Sequence, residues 1–85
     1  MDNQFSLYWW DADDGQHREL YFVDAKTAVE RAHSLAKGPA AMLKIVKKIM
    51  ITDGGDHCVF LWEDGEIIHP TKEEREEARN RNYEA

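Results

Sequence analysis

The stretch Ala40-Ala41-Met42-Leu43-Lys44-Ile45-Val46-Lys47-Lys48-Ile49-Met50-Ile51-Thr52 decides the fold. Met42, Ile45, Val46, Ile49 and Met50 fit the stripe of a helix, whereas Leu43, Ile45, Ile49 and Ile51 fit the alternation of a strand. Four β-branched aliphatics (Ile45, Val46, Ile49 and Ile51) and the turn Asp53-Gly54-Gly55-Asp56 directly after them favour a strand over residues 43–52. A bulge or a helical start is compatible with the same pattern. Read instead as a helix over residues 40–50, the stretch would close an ordinary monomer by covering a second sheet face.

Downstream, His57-Cys58-Val59-Phe60-Leu61-Trp62 is the return strand of a hairpin, its turn Asp53-Gly54-Gly55-Asp56 expected to supply the positive-φ residues such turns need. Asp64-Gly65 signals a two-residue turn into a short strand, Glu66-Ile67-Ile68, and Pro70 closes the compact part. Upstream, the aromatic run Phe5-Ser6-Leu7-Tyr8-Trp9-Trp10 and the run Arg18-Glu19-Leu20-Tyr21-Phe22-Val23 read as an antiparallel pair around Asp13-Asp14-Gly15-Gln16. Between them and the deciding stretch lies an amphipathic helix. Ala25, Ala28, Val29, Ala32, Leu35 and Ala36 share one arc, Asp24 is placed to cap the start, and Gly38-Pro39 ends it, since Gly38 tolerates a left-handed cap position and Pro39 cannot continue the helix.

Residues 71–85 follow with a capping-box pattern, Thr71 and Glu74, with acids early and arginines late. Ala78 and Tyr83 are nearly the only apolar residues there, so a solvated helical or frayed tail is expected beyond a compact domain of residues 1–70. The expected fold is therefore α+β: a two-layer sandwich of four to five antiparallel strands in β-β-α-β-β order, with one helix packed on it.

Composition agrees with one small globular domain, at 85 residues with 42% hydrophobic and 33% charged positions. No apolar run approaches the roughly 20 residues of a membrane span. Met1-Asp2-Asn3-Gln4 is not the basic start of a secretory leader, and the one cysteine, Cys58, has no internal partner, so a cytoplasmic setting is expected. The net charge of −6 is unevenly placed: residues 1–23 carry five acids and one base, residues 24–50 two acids and six bases, and residues 51–85 ten acids and four bases. That balance disfavours general binding to a phosphate backbone, which needs a clustered basic footprint. Lys44, Lys47 and Lys48, with Lys37 nearby, offer the one basic cluster for a nucleic-acid contact, but cross-strand pairing with acids such as Glu63, or a solvated face, accounts for them better.

The remaining motifs carry little chemistry. His57 and Cys58 are strand neighbours and point apart, so they do not make a nucleophile and its base. Asp11, Asp13, Asp14, Asp53, Asp56, Glu63 and Asp64 gather at turns, where they could serve a metal-assisted hydrolase or a ligand site, although turn chemistry explains them. No cofactor motif is present, neither serine sits in a glycine elbow, and catalysis is not expected.

What stands out is a sheet that is apolar on both sides. Phe5, Leu7 and Trp9 alternate with Tyr8 and Trp10, Leu20 and Phe22 with Tyr21 and Val23, and Val59 and Leu61 with Cys58, Phe60 and Trp62. One helix covers one face. A second face carrying Tyr8, Trp10, Tyr21, Phe60 and Trp62 would leave on the order of 500 Å² of aromatic surface in water. At about 25 cal/mol/Å² that area could offset much of the cost of association. The expected role is a non-enzymatic interaction or accessory module that forms a homodimer or binds another protein through those five residues.

Overall fold

The computed structural model describes residues 3–84, with side chains described through residue 80. The order is β1 (Phe5–Asp11), β2 (Gln16–Val23), α1 (Ala25–Lys37), α2 (Pro39–Met42), β3 (Val46–Thr52), β4 (Cys58–Glu63), β5 (Glu66–His69) and α3 (Lys72–Glu84). The five strands form one sheet in the order β2-β1-β3-β4-β5, every neighbouring pair antiparallel. The expected α+β sandwich is what the chain adopts.

The deciding stretch divides. Pro39 starts a single helical turn, since its fixed φ suits the first helical position. That turn ends in a Schellman arrangement: Ile45 N–H donates to Ala40 C=O (2.7 Å) and Lys44 N–H to Ala41 C=O (3.0 Å), with Lys44 at φ 61°. The strand then begins at Val46, three residues later than the alternation suggested. A helix over residues 40–50 is ruled out, and the second sheet face gains no cover from it.

The layer contact is close because it is small. Ala28 and Ala32 of α1 are fully buried and meet Leu7, Val46, Ile49, Ile51 and Trp62. Asp24 caps the helix by accepting from Thr27 N–H at 2.9 Å. Its end uses one of the two expected signals: Gly38 is extended (φ −79°, ψ 171°), the conformation a residue before proline prefers, so Pro39 rather than a left-handed glycine stops α1. At the other end of the chain, α3 carries the anticipated capping box, Thr71 N–H donating to Glu74 Oε1 (2.9 Å) and Glu74 N–H to Thr71 Oγ1 (3.2 Å).

The first two hairpin turns carry their positive φ on Asp14 (62°) and Asp56 (61°) rather than on the glycines beside them. Gly15 lies close under the Asp11 carboxylate: a Cβ there would stand 2.7 Å from Asp11 Oδ2, so that carboxylate would have to shift from the bonds it makes. Only the Asp64-Gly65 turn has the expected glycine at positive φ (Gly65, 90°).

Candidate interaction surface

Opposite residues in an antiparallel pair share a face, so the register lays out both sides of the sheet. On the side of α1 run Leu20, Leu7, Ile51 and Phe60 in one transverse row and His17, Trp9, Ile49, Trp62 and Ile67 in the next. On the opposite side the rows are Arg18, Tyr8, Met50, Leu61 and His69, then Gln16, Trp10, Lys48, Glu63 and Glu66. No element among the described residues lies over this second side.

The five aromatics expected on one face are therefore divided. Tyr8, Trp10 and Tyr21 stand on the open side, whereas Phe60 and Trp62 face α1, Trp62 being buried and the Phe60 ring lying 6.3 Å from that of His33 on the helix. The correction follows from β3. Ile49 and Ile51, both buried, sit opposite Trp62 and Phe60 and bring them to the helix side. Alternation within a strand fixes which residues go together, but only pairing fixes the phase between strands. A signal was available in Lys48, because setting it opposite Glu63 necessarily sets Ile49 opposite Trp62. Met50 and Leu61 are the open-face residues that the aromatic reading passed over.

The open side is apolar at its centre and partly self-shielded. Tyr8 and Trp10 are half-buried although no helix or strand of the described residues lies over them, because cations lie across the rings. The Arg18 guanidinium is 4.2 Å from the Tyr21 centroid and 6.0 Å from that of Tyr8, and Lys48 Nζ is 4.9 Å from Trp10. Such contacts are worth about 0.5–1 kcal/mol when exposed, and the aliphatic stems cover ring area as well. Tyr21 remains exposed at the margin.

The lysine cluster does not assemble. Lys48 covers Trp10 on the open side, Lys47 sits in a bulge and donates to Asp14 Oδ1 (3.1 Å), and Lys44 occupies the loop before β3. Asp14 accordingly holds the Lys47 ammonium above its ordinary range. The acidic turns are likewise occupied by their own hydrogen bonds. The Asp11 carboxylate takes His17 Nε2 (2.9 Å), Gly15 N–H (2.8 Å) and Asp13 N–H (2.9 Å), and these hold its pKa below the ordinary value. Asp53 accepts from His57 N–H (3.0 Å) and Gly55 N–H (2.9 Å), with the same direction of shift. Among the described residues no three His, Cys, Asp or Glu side chains come together as metal ligands. His57 faces Asp53 at 3.4 Å, while the Cys58 thiol donates to Phe60 C=O at 3.4 Å. No helix of the described residues is long and apolar enough to cross a membrane.

Comparison with family models, with curated proteins and with solved structures finds no match to this chain.

Proposed function

We infer that this chain is a non-enzymatic interaction module that dimerises through the open face of its sheet, in a cytoplasmic setting. The observation that supports this is the layout of that face. Tyr8, Trp10, Met50 and Leu61 form an apolar centre, with Arg18 toward the β2 edge and Glu63 and Glu66 on β4 and β5. A two-fold axis lying along β3 in the plane of contact sets β1 of one copy over β4 of the other, and β2 over β5. The basic edge of each copy then meets the acidic edge of its partner, and the apolar centres stack. Aligned packing of two sheets about 10 Å apart is a common solution for such faces.

The reading is tested by exchanging charges. Arg18→Glu and Glu66→Arg, each alone, oppose like charges at two symmetric contacts and are expected to weaken dimerisation about tenfold. Mixing the two single variants is expected to restore it, since a mixed dimer regains opposite charges at both contacts. Sedimentation equilibrium reads both effects, and a mixture no tighter than the singles contradicts the arrangement.

A further inference from the structure

The helix side of the sheet is also incompletely covered. Five strands at about 4.8 Å spacing make a layer roughly 24 Å wide, and one helix about 10 Å across covers roughly half of it. Here α1 packs on β3, β1 and β2. Over β4 and β5 the layer is left as a groove, a cavity of about 350 Å³ among His33, Lys37, Phe60 and Ile67, which continues past Ala36, Trp62 and Gly65 into one of about 360 Å³ at the end of the sheet, between α2 and the β4–β5 turn. Phe60, Trp62 and Ile67 form the apolar floor, and the small side chains of Ala36 and Ala41 allow close approach along one wall.

The rim differs in sign from the rest of the chain. Lys37 on α1 and Lys44 beyond it border the groove with His33, against Asp64, while Lys47 is paired with Asp14, although the whole protein carries −6. Met42, 78% exposed, stands at the same border as a flexible apolar contact. The chain's own α3 fits poorly, since Ala78 is the sole apolar residue among its described side chains.

We propose that this groove receives an amphipathic helix of a partner protein, its apolar stripe on Phe60, Trp62 and Ile67 and its acidic flanks toward Lys37 and Lys44. The width of the gap selects a single helix, the floor selects an apolar stripe, and the rim selects Asp or Glu on either side of it. The bound helix lies beside α1 as the second member of its layer. Because the open sheet face is on the opposite side, dimerisation leaves both grooves free.

The test uses the full chain and synthetic helical peptides read by fluorescence anisotropy at low salt. An 18-residue peptide with a Leu stripe and Glu elsewhere is the probe, against a Leu/Lys peptide of the same pattern and a peptide of residues 71–85. The Leu/Glu peptide is expected to bind, about tenfold more weakly to Lys37→Glu/Lys44→Glu and not measurably to Ala36→Trp, which fills the groove. Both variants change exposed or groove-facing positions, and circular dichroism confirms that each is folded. Trp10→Glu, on the opposite face, is expected to bind the probe as the wild type does, so failure of the dimer and failure of the groove are told apart. Equal binding of the Leu/Lys peptide, equal binding of the tail peptide, indifference to the charge reversal or no binding at all would each overturn the proposal.

Discussion

Asp11 and Asp53 hold their hairpins in the same way, each carboxylate gathering two or three donors from the loop it begins. Asp24 at the start of α1 and Glu74 at the start of α3 are held low by Thr27 and Thr71 respectively. All four groups have folded pKa values below the ordinary 3.8 of Asp or 4.5 of Glu. The stability they contribute is complete above those ordinary values and is lost as pH falls through the lower folded ones. A melting temperature that these groups leave level from about pH 5 to 8 is expected to fall below about pH 4, and Asp11→Asn or Asp53→Asn to shrink that fall. Lys44 gives a second check. It sits at φ 61° in a position that favours glycine, so Lys44→Gly is expected to raise stability by about 0.5–1 kcal/mol in urea denaturation. The two dipeptides Gly54-Gly55 and Gly38-Pro39 marked their turns correctly in the sequence, and Pro39 does stop α1. What they could not convey is that Asp56 is the turn residue at positive φ and that Gly38 stays extended, because local signals locate a turn more firmly than they assign its dihedrals.

At the scale of elements, the approach of α1 to the sheet depends on Ala28 and Ala32, both without exposed surface. Ala32→Leu is expected to push the layers apart and cost about 1–3 kcal/mol, whereas Leu7→Ala opens a cavity and costs about 2–5 kcal/mol. Helix α3 makes no comparable contribution, and deletion of residues 71–85 is expected to change the unfolding free energy of the remaining domain by no more than about 0.5 kcal/mol. The alanine stripe of α1, the capping box of α3 and the Asp64-Gly65 turn were legible because each is a pattern within one segment. The division of Ala40 to Thr52 into a helical turn and a strand was half legible, as both templates were present in it. The relative phase of β1 and β4 was not, because it rests on pairing through β3, and Phe60 and Trp62 were placed on the wrong side for that reason.

For the whole molecule, the central matter is a sheet wider than its cover. On one side α1 packs on three strands and leaves a groove, and on the other, among the described residues, Tyr8, Trp10, Met50 and Leu61 are shielded by Arg18, Lys48 and their neighbours alone. The edges are better protected. β2 is interrupted by two bulges, one with Phe22 at φ 52°, and β5 is four residues long, so neither offers a long straight template for another strand. The most direct test is light scattering of the wild type and Trp10→Glu across a range of concentrations, with circular dichroism on both. Doubling of the wild-type mass at concentrations on the order of micromolar to tens of micromolar, with Trp10→Glu folded and monomeric, is the predicted result. A wild type that stays monomeric throughout, or a folded Trp10→Glu that dimerises as the wild type does, would contradict it.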